Sequence, residues 1–578
     1  MKILLFALLA FPVVAMGSTS VTACGTLSVA GATYVLQNNV SAAGNCFTIS
    51  ANNVTLDLNG YTVTYDTTFQ NGPAYGVTTS WNKSTLHITN GTFVQGAGKD
   101  YQSIAVNLTL GAVNSEVDHL TFHYQGDNNL AIGVSCSNLP NPNVNIHDNT
   151  IYPNGTKRAD PKLGYPTHYG SFATIMTVYC TGTTTITNNL IQGKGDQGIN
   201  VRVVSAPVAV NITHNTVSMA APVRDAYAIG LSSSKPVNMN YEIAYNTITQ
   251  ASGRGIGVEG DGVIGYNSHG PGFGTIHDNT IDVREPCDSG EYPCPGDDIG
   301  IMLRGGIHDM QVYNNTVTVH AGADACPIQF PQQQGNSCMG IGLKIIAGTY
   351  TTNDRFYNNT VNAITTDNTE TASGLYGDFP SPGQGTDFDH NTVTSNSILV
   401  DLSASDGSGN NYLFASNNFI QGANPQGFHS VRVGYCCGDS ALGNILLDNA
   451  WTNASPNDFD YGNGGGEFSI FLKYYLTVVV KDSKSNPVAG ATVTAASSHE
   501  SVSGTTNNTG TAILALTDYL YSGSVDGPTD VATAYTPHTV TASKTGYTSA
   551  TTSVTMSSDK SVTMQLGGSP LTLKATPH

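Results

Sequence analysis

From residue 145 onward one short alternation of apolar and polar positions keeps returning: NIHDNTI ending at Ile151, TITNNLI at Ile191, NITHNTV at Val217, EIAYNTI at Ile248, TIHDNTI at Ile281, QVYNNTV at Val317, RFYNNTV at Val361, DFDHNTV at Val393 and FASNNFI at Ile420. Each copy alternates with a period of two, meets an Asn and resumes, in most copies with a β-branched residue, the pattern of a strand, a tight bend and another strand. Weaker copies stand at Asn59, Asn90, His119 and Asn449. Taking Asn59, Asn90, His119, Asn149, Asn189, Asn215, Asn246, Asn279, Asn315, Asn359, Asn391, Asn418 and Asn449 as equivalent gives a mean step of about 32 residues, the size of one solenoid unit. Asn suits the bend because it tolerates left-handed backbone angles and bonds its own main chain. In copies stacked about 4.8 Å apart, the Asn side chains would also form a ladder.

A second phrase alternates with the first: AIGVS (131–135), GINVR (198–202), AIGLS (228–232), GIGVE (255–259), GIMLR (300–304) and GIGLK (340–344). Each coil therefore has at least two strands. No amphipathic 3.6-residue pattern of helical length lies between copies, which disfavours leucine-rich and α/β repeats. The pattern predicts an all-β chain whose main part, 18–452, is a right-handed parallel β-helix of roughly a dozen coils. The stretch 453–473 opens rich in Asn, Asp and Gly and reads as a linker. Short alternating strands with turns at Asn486-Pro487 and Asn508–Gly510 then predict a β-sandwich over 474–568, followed by a tail, 569–578.

Composition narrows the class. The chain holds 22 Lys+Arg against 41 Asp+Glu, a formal charge of -19, which excludes a basic nucleic-acid-binding surface. Only 11% of residues are charged, against roughly a quarter in ordinary globular proteins, which argues against Lys/Glu-paved helices. Residues 1–17 read as a secretory signal peptide with cleavage near Gly17, and Val21–Cys24 loosely matches a lipoprotein box. No later stretch has the roughly 20 apolar residues of a membrane-spanning helix. The expected location is extracellular or at the cell surface. Ten cysteines in an exported chain read as disulfides. Closeness in sequence pairs Cys24 with Cys46, Cys287 with Cys294, and Cys326 with Cys338; Cys136 with Cys180 is a further pairing, and Cys436 and Cys437 are adjacent. The Cys/His spacings of a structural zinc site are absent, so no metal site is expected.

The opening CGTLSVAGATYVLQNNVSAAGNCFTISANNVTLDLNGYTV and the NNT repeats resemble the right-handed parallel β-helix proteins of the pectate-lyase-like superfamily, over about residues 24–450. That superfamily includes lyases, glycosidases, epimerases, tailspikes and non-catalytic surface proteins, so the resemblance implies a fold more than a reaction. NPVAGATVTA with the later NTGTA resembles carboxypeptidase-regulatory-like (transthyretin-like) sandwich modules, which implies a spacer or cell-surface attachment role for the C-terminal unit.

The candidate chemistry lies where the few charges cluster. Aligned on its Gly/Ala-Ile start, the second phrase places Arg202, Ser232, Glu259, Arg304 and Lys344 at one position, with Asp196, Arg224, Asp225, Arg254, Asp297 and Asp298 just before those strands. The same coils carry long insertions, and loops on a rigid scaffold are where binding sites concentrate. The expected partner is an extracellular polysaccharide. Three readings stand side by side. In a hydrolase, Asp297 and Asp298 would supply the paired carboxylates. In a lyase, Lys344 or Arg304 would act as base, with acids holding a cation, for which calcium is the candidate. In a non-catalytic adhesin or stalk, Glu259 between Arg202 and Arg304 would be a rung of an ion-pair ladder. PGDDIGI is similar to the GDD motif of polygalacturonase-type hydrolases, whose pattern also has a downstream glycine-flanked histidine and an Arg-x-Lys element. Here His269-Gly270 lies upstream and Lys344 has no such arginine. The pairs at His147, His277, His308, Asp118-His119 and Asp389-His390 read as turn residues of the repeat.

Overall fold

The computed structural model describes residues 18–568 apart from 99, 101, 109–111, 126–128, 137–142, 155–156, 161–164, 170–172, 196, 204–206, 221–226, 234–236, 251–252, 261–270, 285–297, 322–339, 347–352, 366–370, 379–384, 403–410, 424–426, 435–439, 462–465 and 525–530. The expected signal peptide and the C-terminal tail lie outside the described residues, as do Cys436 and Cys437. The described part is all-β, and its larger unit is a right-handed parallel β-helix. No helix among the described residues is long and apolar enough to cross a membrane.

A typical coil has three strands. In one, Gln311–Tyr313 and Thr316–Ala321 flank the Asn bend, and Gly340–Ile346 carries the Gly-Ile phrase. The Gly-Ile strands stack into one parallel sheet of fifteen, from Gly25–Leu27 to Phe459–Tyr461 in strict chain order. That exceeds the expected dozen, because the first coils lack the NNT phrase and the last rung lies beyond residue 452. Inside, identical positions pile up: Ile146, Ile186, Ile212, Ile243, Ile276, Val312, Phe356, Phe388 and Phe414 form one fully buried column in register. The last three stack ring on ring at 4.7 and 5.0 Å. Each such side chain contributes about 1.5–3 kcal/mol of burial.

Two of the four expected disulfides are present among the described residues. Cys24–Cys46 and Cys136–Cys180 each join neighbouring coils, with Cα atoms 4.6 and 4.7 Å apart, the spacing of adjacent strands. The expected pairing of Cys287 with Cys294 and that of Cys326 with Cys338 do not appear beside them, because Cys287, Cys294, Cys326 and Cys338 all lie outside the described residues.

The bend divides between two consecutive residues the roles expected of one. The left-handed position falls to Asn59, Asn90, His119, Asp148, Asn188, His214, Tyr245, Asp278, Asn314, Asn358, His390, Ser416 and Asp448, all with φ between 50° and 60°. The residue after it points inward, and from Asn149 this is the ladder: Asn149, Asn189, Asn215, Asn246, Asn279, Asn315, Asn359, Asn391, Asn417, Asn449. Asn59, Asn90, His119 and Asn418 therefore leave the equivalence drawn from sequence. The first three are bend residues, and Asn418 opens the strand after the ladder, opposite Thr392.

The Gly of the second phrase is required by close approach. A Cβ on Gly300 would lie 2.1 Å from Val317 Cγ1 and 2.6 Å from the Gly342 carbonyl; Gly342 and Gly374 would meet Val361 and Val393 at 2.2 Å. Gly300→Ala is expected to cost at least about 2 kcal/mol by overpacking, measured as a lowered urea midpoint with unchanged slope.

The C-terminal unit packs two sheets around its own core of Leu476, Val478, Val493, Leu514, Leu516 and Val540. One strand, Glu467–Lys481, passes through the boundary expected at 473/474. Its first half pairs in parallel with Ala441–Leu447 of the β-helix, and its second half pairs with Lys560–Gln565 of the sandwich. Alternating burial along EFSIFLKYYLTVVVK serves both cores, so strand structure occupies part of the expected linker.

Candidate functional site on the outer face of the Gly-Ile sheet

Register on this sheet is set by the close-approach glycines, and it sorts the expected charges into two rows. Val178, Arg202, Ser232, Glu259 and Arg304 are successive partners, as the sequence alignment has them. Lys344 is not among them. It pairs with Met302 and Tyr376, while Ile346 stands opposite Arg304. The correction follows from packing: Gly300 matches Gly342, not Gly340, because Gly342 is the residue whose Cβ would strike the next bend valine.

The first row builds a compact cluster. Tyr227 opens the strand Tyr227–Ser233 and its hydroxyl donates to Glu259 Oε1. Arg254, at the start of Arg254–Gly260, reaches both the Tyr227 oxygen and Glu259 Oε1, the latter at 3.3 Å, with its guanidinium 5.0 Å from the Tyr227 ring centre. Arg304 Nη1 lies 3.8 Å from the same carboxylate oxygen. The side chain of Arg304 is 46% exposed and that of Glu259 24%, so the cluster opens to solvent on the Arg304 side. Arg202 is exposed three coils before.

Asp298 stands just before Ile299, the register partner of Arg254. It begins the strand Asp298–Arg304 at 2% exposure, and its Oδ1 accepts the Gly253 amide at 2.8 Å, anchoring the turn into Arg254. Asp196, Arg224, Asp225 and Asp297 lie outside the described residues.

The second row continues through residues that sequence reasoning missed. Lys344, Tyr376, Asp401, Arg432 and Asp460 are successive register partners. The Lys344 ammonium sits 4.6 Å from the Tyr376 ring centre, a cation–π contact. Asp401 Oδ2 accepts the Ser373 hydroxyl at 2.7 Å and lies 3.6 Å from Arg432 Nη1, whose Nε donates to Asp460 at 3.0 Å. Lys344, Tyr376, Asp401 and Arg432 are buried although they alternate with core residues such as Leu343, Leu375, Val400 and Val431. A further outward cluster, Tyr227, Ile299, Met302, Ile341 and Tyr376, links the two rows with an apolar floor. The signal was present in sequence as a lone charge inside an apolar strand, Asp401 in ILVDL and Arg432 in VRV.

No family model and no curated protein matches this chain. Among solved structures it is similar to tailspike proteins of E. coli bacteriophage HK620. One mutant tailspike matches at 12% identity over 87% of this chain and 85% of that one, with a TM-score of 0.35. A second, a mutant in complex with a pentasaccharide, matches at 11% over 87% and 86%, also at 0.35. The tailspike with its pentasaccharide matches at 12% over 87% and 86%, at 0.30.

Chemically, the cluster offers a carboxylate held by two guanidinium groups and a phenol, beside an aromatic and apolar floor. Guanidinium groups and phenols donate hydrogen bonds in fixed directions, and carboxylates accept them, which is the equipment for reading hydroxyl groups.

Proposed function

We propose that the chain is an exported protein that binds a polysaccharide along the outer face of the Gly-Ile sheet, centred on Arg304 and Glu259. The supporting observation is the half-open Arg304–Glu259 pair, set beside Tyr227 and Arg254 on a face whose neighbouring charges are buried. With 41 acidic against 22 basic side chains, a neutral glycan is preferred over an acidic one unless a cation bridges them. If the protein also cleaves the chain it binds, Glu259 and Asp298 are the carboxylates on the strands of Arg254 and Arg304 to act on it, Asp401 and Asp460 being held by Arg432, and the hydrolase pair is Asp297 with Asp298. The C-terminal sandwich would serve as attachment.

Saturation binding and reducing-end release from a panel of neutral and acidic polysaccharides, with and without calcium, test this. Arg304→Ala is expected to weaken binding roughly 10- to 100-fold, the loss of one or two hydrogen bonds to a charged group. Asp298→Asn should abolish any release while binding persists, and Glu259→Gln should weaken both. Binding to no polymer, or equal binding by Arg304→Ala, overturns the proposal. A second reading has one observation in its favour: Glu259 is engaged by Tyr227, Arg254 and Arg304 together, as in a structural rung of a stalk. That reading expects Glu259→Gln to lower stability and leave glycan binding absent throughout.

A further inference from the structure

On the face carrying the strands before the bend, three early coils bring together side chains that lie 29 to 31 residues apart in sequence. His87 stands in Lys83–Gln95, Glu116 and Asp118 in Ala112–Gln125, and His147 ends Val144–His147. The register makes His87 the neighbour of Glu116, and Asp118 the neighbour of His147. His87, Glu116 and Asp118 each offer a ligand atom, all within 4.8 Å of one another. His87 Nε2 is 3.1 and 3.0 Å from the two Asp118 oxygens. From the next coil, His147 Nε2 lies 3.0 Å from Glu116 Oε1 and 3.5 Å from Asp118 Oδ2. Ligand atoms roughly 2.0–2.2 Å from a tetrahedral zinc ion are roughly 3.3–3.5 Å from each other, and the His87–Asp118, His147–Glu116 and His147–Asp118 separations lie close to that.

The imidazole of His147 is also oriented as a ligand. Its Nδ1 is 2.7 Å from Asp148 Oδ2, the carboxylate–histidine arrangement that fixes the ring and turns Nε2 toward Glu116 and Asp118. In the metal-free chain a proton on Nε2 bridges to these carboxylates, and a bound cation would take that proton's place.

A second copy of the clamp shows which residues the fold itself needs. Four coils on, His277 repeats the arrangement, with Nδ1 2.8 Å from Asp278 and Nε2 3.0 Å from Glu242. There Asn211 takes the register position of His87 and Ala244 that of Asp118. The Glu–His–Asp clamp therefore forms without a second imidazole or a second inner carboxylate. His87 and Asp118 are additions to it.

We propose that His87, Glu116, Asp118 and His147 bind one divalent transition-metal ion of the zinc class, tying three successive coils together. Two imidazoles with two carboxylates suit a borderline ion, whereas calcium takes 6–8 oxygen ligands. The expectation of no metal drawn from sequence looked for ligands spaced within one loop; in a solenoid they come from one coil step apart. The site is independent of the glycan face.

Calorimetric titration of the chelator-dialysed full chain with zinc chloride, in parallel with cobalt chloride read by visible absorption, tests this. One tight zinc equivalent per chain and a tetrahedral cobalt spectrum are expected. His87→Gln and Asp118→Asn should each weaken that event roughly 100-fold, while His277→Gln leaves it unchanged. Circular dichroism of the metal-free variants separates a lost ligand from a lost fold, and the partly exposed His87 gives the reading if Asp118→Asn does not fold. Absence of the tight event, its survival in His87→Gln, or calcium binding as tightly as zinc overturns the proposal.

Discussion

Asn246→Ala is expected to destabilise the β-helix by about 4 kcal/mol, the sum of four lost hydrogen bonds and one stranded amide. Asn246 Oδ1 accepts from the Asn215 amide at 2.9 Å and from Asn215 Nδ2 at 3.0 Å. Its Nδ2 donates to Ile212 O at 2.8 Å and to Asn279 Oδ1 at 3.0 Å. All of this takes place at 1% exposure, where water cannot replace a missing partner. Alanine keeps the backbone donor to Asn279 but leaves the Asn215 amide without its acceptor. Asn246→Asp should be no better, since a carboxylate cannot donate to the two oxygens that Nδ2 now serves. Because each coil contacts mainly its neighbours, the loss should register first as reduced hydrogen-exchange protection in the coils around residues 215 to 279, before the global urea midpoint moves. Equal protection in wild type and Asn246→Ala would show the ladder to be dispensable.

The same bend shows how far the sequence could be read. Repetition of NNT announced strands, a bend and a stacked Asn, and all three are present. What the string could not show is that its two Asn do different work. Asp, His, Tyr and Ser also occupy the left-handed residue, so His119 or Asn90 looks equivalent to a ladder Asn when aligned by letter. The Gly-Ile phrase failed in a similar way at Lys344. Two glycines in GIGLK compete as the anchor, and only the steric demand of Val361 on Gly342 decides between them. Once that register is set, Lys344 moves to the row of Tyr376, Asp401 and Arg432, whose strands carry no Gly-Ile start to align on. Of the candidate site, Arg254, Glu259 and Arg304 were legible because one coil step brings like positions together. The His87–Glu116–Asp118–His147 set follows the same rule, but the letters there change from coil to coil, and Asp118 and His147 read as turn residues of the repeat.

Glu500→Gln is expected to cost the C-terminal sandwich about 3 kcal/mol, because one half-buried carboxylate collects four donors and the amide keeps an acceptor oxygen for only two of them. Glu500 Oε1 accepts the Thr517 amide at 2.7 Å and His538 Nε2 at 2.8 Å; Oε2 accepts the Thr517 hydroxyl at 2.8 Å and lies 3.4 Å from Lys473 Nζ. His538 is fully buried, so it has no solvent to turn to. Burial by itself would raise the Glu500 pKa, but the bonds from His538 and Thr517 and the Lys473 charge outweigh it and hold the group at about 2 instead of 4.5. A depressed folded-state pKa contributes stability that is complete above 4.5 and is lost as pH falls toward about 2. Asp518, next to Thr517 in sequence, runs the other way. Burial, only partly opposed by His538, raises it from 3.8 to about 6, and its Oδ1 finds no hydrogen-bond partner among the described residues. The folded state therefore favours the protonated acid, and stability falls as pH rises from 3.8 through about 6. Together the two groups place the sandwich's greatest stability within the ordinary carboxylate range, between 3.8 and 4.5, with Glu500 losing its contribution below it and Asp518 above it. Thermal unfolding of the full chain followed across pH 3 to 8, roughly spanning both titrations, should show an acid limb that disappears in Glu500→Gln and a descending limb toward neutrality that flattens in Asp518→Asn. A sandwich transition with the same pH profile in wild type and Glu500→Gln would mean that the four donors are satisfied without the charge.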